Sequence, residues 1–181
     1  MNGYGQEDIK AILDQIKDDL CNCLSDSVTP VVYNGTAGAS SIYSDSYAAQ
    51  NAFNQEDTNA RWCSTPGYPS KIWFKFMSAV KVVKFSFSSV QSKYWKESPK
   101  AFNVIASDDC SNWEILLSVT NSGFTGENQE KSWQIPPTQQ KSYRCYGIEG
   151  TENLGYWRDY ISLKKLKMWQ STGTTPSTGY Q

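Results

Sequence analysis

Through most of this chain apolar residues recur at every second position. In KIWFKFMSAVKVVKFSFSSV, from Lys71 to Val90, Ile72, Phe74 and Phe76 alternate in one strand and Val83, Phe85 and Phe87 in the next. In AFNVIASDDCSNW, Ala101 to Trp113, Phe102, Val104 and Ala106 share one face, and Asn103, Ile105 and Ser107 the other. The Asp-Asp-Cys-Ser-Asn turn then returns the chain into WEILLSVT, so this stretch reads as one β-hairpin, with Asp108 and Asp109 as turn acids. KSWQI, KSYRCYGIEG and DYISLKKLKMW follow, the last with a bulge expected near Lys164 and Lys165. Short strands separated by Gly, Pro, Asn and Ser turns predict an all-β, antiparallel sandwich or barrel.

The period changes at the amino end. Across residues 6 to 24, Ile9, Leu13, Ile16, Leu20 and Cys23 are spaced 4, 3, 4, 3, and Ile12 widens the stripe, which predicts an amphipathic helix. With Leu13 and Leu20 at heptad position a and Ile9 and Ile16 at d, three or four parallel strands are favoured over two. A helix this short is marginal alone in water. It either packs on its own β-domain or associates with copies of itself through Ile9, Leu13, Ile16 and Leu20, giving a trimer, a tetramer or a larger assembly. The expected organisation is a helix over 1–24, a linker over 25–35 with Val31-Val32-Tyr33 as a candidate first strand, the sandwich over 36–169 and a flexible Ser/Thr/Gly tail over 170–181.

Composition narrows the function. A formal charge of −1 offers no field for nucleic acid or anionic lipid, and no run of apolar residues is long enough to span a bilayer. The opening MNGYGQEDIK lacks a basic start followed by an apolar run, so the chain reads as made without a secretory signal. Five cysteines, Cys21, Cys23, Cys63, Cys110 and Cys145, are odd in number and irregularly spaced, which reads as reduced thiols, three of them buried in strands. Cys21-Asn22-Cys23 has no second pair with which to hold zinc. With no histidine, there is no Ser-His-Asp or Cys-His arrangement. The acid pairs Asp108-Asp109 and Glu56-Asp57 are neighbours in polar turns, and glycoside hydrolysis needs two acids across a bond. No catalytic residue and no enzyme activity is expected.

What remains is aromatic residues in loops. Tyr43 and Tyr47 lie in ASSIYSDSYAAQ, Tyr68 in CSTPGYPSK, Tyr94 and Trp95 in SVQSKYWKESPK, and Tyr156 and Trp157 beside Arg158 in ENLGYWRDY. An exposed ring offers a flat apolar face with a polar edge, suited to stacking on a sugar or anchoring a protein contact. The ligand-binding candidates are therefore Tyr43, Tyr68, Tyr94, Trp95, Tyr156, Trp157 and Arg158.

The order of segments resembles the discoidin, or coagulation factor 5/8 type C, family. The matching pieces are ASSIYSDSYAAQNAFNQEDTNARWCS, PSKIWFKFMSAVKVVKFSF, SPKAFNVIASDDCSNWEIL, YRCYGIEG and ISLKKLKMW, covering about residues 36 to 169. The most specific is Ser98 to Trp113, with Asp109-Cys110 where the family has Asp-Gly; Trp62 after the Ala-Phe-Asn segment is the second landmark. The resemblance implies a galactose-binding-like jelly roll, non-catalytic, that binds glycans, phospholipid headgroups or proteins through loops at one end, here the same four aromatic segments. It also implies a structural calcium site in glycan-binding members, from which this chain departs. AFNQEDTNARW, Ala52 to Trp62, has Asn54-Gln55-Glu56 in the acidic turn, and Lys165 falls where the family has a glutamate. An ammonium there removes a ligand and adds repulsion. No calcium or other cofactor is expected, and Lys165 should pair with Glu56 or Asp57. The disulfide that ties the ends of the family's extracellular animal members is not expected, since no cysteine follows Cys145.

The expected function is a non-catalytic carbohydrate-binding or cell-surface adhesion module, displayed on a homo-oligomer so that weak sites gain avidity. The alternative is a structural subunit of a virion or appendage, such as a phage head or tail fibre. Either acts at an extracellular surface or on a virion.

Overall fold

The computed structural model describes residues 9, 10, 12, 13 and 28–171. Ile9, Lys10, Ile12 and Leu13 are helical, and the three apolar ones are at least half exposed. Ile16, Leu20, Cys21, Cys23 and the tail beyond Ser171 lie outside the described residues, as does most of the expected 1–24 helix.

Ten strands follow: β1 (Val28–Pro30), β2 (Gly35–Ala39), β3 (Trp62–Cys63), β4 (Ser70–Val80), β5 (Val82–Ser88), β6 (Pro99–Ser107), β7 (Glu114–Val119), β8 (Glu130–Gln134), β9 (Tyr143–Asn153) and β10 (Ser162–Ser171). One sheet runs β1-β10-β5-β8 with β3 also on β10; the other runs β2-β4-β9-β6-β7. The pairs β10·β3, β10·β5, β5·β8, β2·β4, β4·β9, β6·β9 and β6·β7 are antiparallel. The two-residue period puts one face of each strand inward. Phe74, Phe76, Phe85, Phe87, Phe102, Val104, Tyr146, Ile148, Leu163, Leu166 and Met168 meet in a single buried cluster. Each large side chain buried there contributes roughly 1.5–3 kcal/mol relative to exposure. The result is the expected all-β sandwich.

The edges differ from the sequence expectation. The first strand is Val28–Pro30, inside the expected linker. Val31-Val32-Tyr33 is not a strand but a connection: Val32 is exposed, while the Tyr33 hydroxyl donates to the Leu166 carbonyl at 2.8 Å. β10 extends through Gln170 and Ser171, so the expected tail begins as strand. The bulge falls where expected, as a register shift between Lys164 and Lys167 with Lys165 at φ 52°.

The β6–β7 hairpin turn is built by Asp109. Its carboxylate accepts from the Ser107 hydroxyl, the Asn112 side chain and the backbone N–H groups of Ser111 and Asn112, which holds its pKa well below the ordinary value. Cys110 sits at φ 58°, the left-handed conformation that suits the glycine expected at this position from the resemblance. The thiol expectation is overturned here: Cys110 and Cys145 form a disulfide. The reason is topological. β6 pairs with β9 so that Ser107 lies opposite Cys145, and the turn after Ser107 then carries Cys110 over Cys145, with a Cα separation of 5.5 Å. Cys63 alone remains free among the described residues, and it is buried.

Candidate functional site

At one end of the sandwich three loops and the short strand β3 enclose a cleft of about 350 Å³, lined by Tyr43, Tyr47, Arg61, Cys63, Tyr94, Glu97, Tyr156, Trp157, Arg158 and Tyr160. β3 is the fixed point. Trp62 is wholly buried, and its indole N–H donates to the Ser41 carbonyl at 3.0 Å; the Tyr43 N–H donates to the Cys63 carbonyl at 2.8 Å. Burying Trp62 therefore pins the segment that presents Tyr43 and Tyr47. The adjacent residue, Arg61, enters the cleft.

The second wall is the 3-10 turn Ser92–Glu97, which presents Tyr94 outward and Glu97 inward. The third is the β9–β10 loop, organised by Asn153. The Asn153 amide donates to the carbonyls of Arg158 at 2.7 Å and Tyr160 at 3.1 Å, and its side-chain oxygen accepts from the N–H groups of Gly155 and Tyr156. Gly155, at φ 92°, allows the bend. The Leu154 N–H donates to the carbonyls of Lys96 and Ser98, which locks this loop to the Ser92–Glu97 turn.

The aromatic rings form a connected surface. Tyr43 meets Tyr160 edge-on at 5.4 Å, Tyr160 lies 6.2 Å from Tyr156, and Tyr156 lies 6.1 Å from Trp157 and 6.3 Å from Tyr94. Trp157 is 73% exposed and Tyr43 53%, so flat apolar faces are open to solvent at the mouth.

Charge lies beneath and beside these rings. The Arg61 guanidinium is held between the rings of Tyr47 and Tyr94, at 4.9 and 4.8 Å, and its Nη1 lies 3.4 Å from Glu97 Oε2. Both side chains are more than nine-tenths buried. Glu97 Oε2 also accepts from the Ser162 hydroxyl at 2.9 Å. Burial raises the Glu97 pKa above the ordinary carboxylate value, against the lowering effect of Ser162 and Arg61. Burial likewise pushes the Cys63 thiol up to about 11, so it is protonated and a poor nucleophile. Arg61 Nη1 is buried and makes no hydrogen bond, its contact with Glu97 being an ion pair. The Arg158 guanidinium lies 4.1 Å over the Trp157 ring and donates to the Tyr160 hydroxyl at 2.9 Å.

Of the residues singled out in the sequence, Tyr43, Tyr94, Tyr156, Trp157 and Arg158 converge on this cleft. Tyr68 and Trp95 do not line it. The Tyr68 hydroxyl accepts from the Asn153 N–H at 2.9 Å and so braces the β9–β10 loop, while the half-buried Trp95 ring carries the Lys96 ammonium at 5.8 Å. Missed by the choice of loop aromatics were Arg61, Glu97, Cys63 and Tyr160, together with the organiser Asn153. Arg61 is adjacent to the landmark Trp62, a signal that was available. Glu97 is the cleft's one carboxylate, so the lining holds no pair of acids.

On the same sandwich, the segment expected to diverge from a calcium loop is filled by a lysine, and it is Lys164, not Lys165. The Lys164 ammonium donates to the Thr58 carbonyl at 2.8 Å and to Asn128 Oδ1 at 2.5 Å, and the residue is 4% exposed. Burial and the neighbouring Lys165 lower its pKa. None of the ion pairs among the described residues involves Lys165, Glu56 or Asp57. The bulge is the cause: it turns Lys164 inward and leaves Lys165 half-buried at the surface. Gln55 Oε1 in the turn is buried without a hydrogen-bond partner, but Asn54, Asp57 and Glu130 are engaged. Asn54 Oδ1 accepts from the N–H groups of Glu56 and Asp57, Asp57 Oδ1 from that of Asn59, and Glu130 from Ser86 and Lys167. A calcium ion, which needs six to eight oxygens, does not fit this donor set.

No curated protein matches the chain. Several solved structures do. A family 32 carbohydrate-binding module of Clostridium perfringens, in complex with GalNAc-β-1,3-galactose, is 16% identical over 77% of this chain and 99% of that one, with a TM-score of 0.65. The family 32 module of Clostridium perfringens NanJ, in complex with galactose, gives 15%, 79%, 99% and 0.64. The module of AlyQ, in complex with 4,5-unsaturated mannuronic acid, gives 20%, 77%, 97% and 0.60. At these identities the likeness establishes a shared sandwich, the architecture of carbohydrate-binding modules. The F5/8 type C domain profile matches residues 36–165, most of the chain and the whole span from β2 to the bulge in β10, and the chain therefore belongs to the F5/8 type C domain family.

Proposed function

We propose that the chain is a non-catalytic carbohydrate-binding module whose ligand lies in the aromatic cleft. The observation that carries this reading is the pairing of open rings at the mouth, Trp157 and Tyr43, with a buried guanidinium at Arg61 whose Nη1 has no hydrogen-bond partner. Rings stack on the apolar C–H face of a sugar, and the guanidinium donates to its oxygens. The saccharide complexes of the similar modules support the same class of ligand. The disulfide between Cys110 and Cys145 supports an oxidising, extracellular setting. A glycan array probed with the full chain and with Trp157→Ala tests the reading: glycans bound by the first should be lost by the second. An array with no glycan bound, or one unchanged by the substitution, would reject it and favour a role in protein contacts.

Display on a homo-oligomer through Ile9, Leu13, Ile16 and Leu20 is part of this proposal, supported by the exposure of Ile9, Ile12 and Leu13. Light scattering should give the mass of three or four chains, and a monomer at micromolar concentration would rule the display out. The module should also stand without calcium, with the Lys164 ammonium serving as its resident cation. Calcium added at millimolar concentration should leave the thermal midpoint unchanged; a clear rise would show that the ion binds.

A further inference from the structure

The cleft has two cationic donors but a single anionic acceptor, its other side-chain acceptors being the hydroxyls of five tyrosines. Arg61 and Arg158 carry five N–H groups each, and of these only Arg158 Nη1 makes a hydrogen bond within the cleft, to the Tyr160 hydroxyl. On the acceptor side Glu97 is the one carboxylate, and its Oε2 already receives the Ser162 hydroxyl. The charges are also unequal. Arg61 faces Glu97, whereas Arg158 is exposed and takes part in none of the ion pairs among the described residues. The lining thus carries one guanidinium more than it has carboxylates.

A neutral saccharide is a poor complement to such a surface. Its hydroxyls can exchange hydrogen bonds with the tyrosine hydroxyls, but they carry no charge to set against the guanidinium in excess. Covering the Arg158 guanidinium with a neutral ring would also remove water from a charge without replacing its stabilisation. A carboxylate is acceptor-only, carries the opposing charge and matches the guanidinium fork with two parallel hydrogen bonds. Resting on the assignment of the cleft to saccharides, we infer that its ligand is an acidic saccharide, a sugar bearing a carboxylate, with the exposed, unpaired guanidinium of Arg158 as the group that reads the acid, Arg61 adding positive charge beneath it, and Trp157 and Tyr43 as the groups that hold the ring.

Calorimetric titration of the full chain with oligomers of galacturonate, glucuronate and mannuronate and with a sialylated oligosaccharide, each beside its methyl ester, tests this. At least one acid should bind about tenfold or more tightly than its ester, since a charge-assisted hydrogen bond is lost on esterification. Raising the salt concentration should weaken the acid more than the ester. Arg158→Gln should lower the affinity for the acid and shrink the acid-to-ester ratio, with near-ultraviolet circular dichroism confirming the fold. Binding of acid and ester alike, or of neutral galactosides alone, would overturn the inference and leave the saccharide assignment standing. If neither the acids, nor the esters, nor any glycan on an array binds, both fall together.

Discussion

Arg61 and Lys164 are both cations buried in one sandwich, at 8% and 4% exposure, and they are used in opposite ways. Lys164 is inserted between Thr58 O and Asn128 Oδ1, and its charge is spent on closing a loop. Arg61 is clamped by two rings and a carboxylate, yet its buried Nη1 makes no hydrogen bond. A buried donor left unmade costs free energy in the unliganded protein, and a ligand oxygen recovers that cost on binding. A buried cation whose hydrogen bonds are made marks structure; one with a donor left over, beneath open rings, marks a site. The surroundings agree. Polar loop groups surround Lys164, one of them, Gln91, with a buried oxygen left unbonded, whereas Tyr43 and Trp157 beside Arg61 expose flat faces that bury little within the chain.

Substitutions separate the two. Arg61→Met should have the largest effect, costing about 3–5 kcal/mol of unfolding free energy in chemical denaturation because Glu97 is left buried without its counter-charge. It should also abolish saccharide binding. Lys164→Met should cost about 1–3 kcal/mol by orphaning the Thr58 and Asn128 oxygens, with saccharide affinity unchanged. If binding fell with Lys164 as well, the division between structural and ligand-directed cation would be wrong. Trp157→Ala should reverse that pattern. With its ring largely in solvent, denaturation should shift by less than about 0.5 kcal/mol, while ligand affinity falls by about 1–2 kcal/mol, measured by calorimetry.

The smallest effect is a slope. Burial raises the Glu97 pKa in the folded chain above its ordinary value of 4.5, so the native state holds this proton more tightly than the unfolded one. Its contribution to stability is complete below the ordinary value and is lost as pH rises through the raised one. Glu97→Gln should remove that decline, flattening stability measured from about pH 4 to 7. A slope that is identical in the variant would place the titration elsewhere.

Much of this was legible in the chain. Alternation from Ile72 to Phe76, from Val83 to Phe87 and from Phe102 to Ala106 marked the strands, because one buried face admits only one register. The Val31-Val32-Tyr33 stretch misled: Val31 and Tyr33 pack on the core while Val32 is exposed, a pattern that looks like a strand, yet ladder pairing falls on Val28–Pro30. Loop aromatics led to the cleft, where Tyr43, Tyr94, Tyr156 and Trp157 come together, because rings with little to bury against stand out in polar turns. Arg61 and Glu97 did not stand out. Their meaning depends on β3 lying against β10, which sets Cys63 opposite Ser162 and thereby gathers Ser162, Glu97 and Arg61 from three distant segments. The Cys110–Cys145 bond was hidden for the same reason, requiring β6 beside β9. Lys164 and Lys165 differ by one position, and a bulge decides which faces inward. Sequence periodicity carries neither kind of information.

The central claim, that the aromatic cleft and not the lysine-filled loop is the ligand site, is tested most directly by titrating one array-identified saccharide into the wild-type chain, Trp157→Ala and Lys164→Met in parallel. The account predicts equal affinity for wild type and Lys164→Met, and affinity weakened about five- to thirtyfold in Trp157→Ala. Unchanged affinity in Trp157→Ala together with weakened binding in Lys164→Met would contradict it.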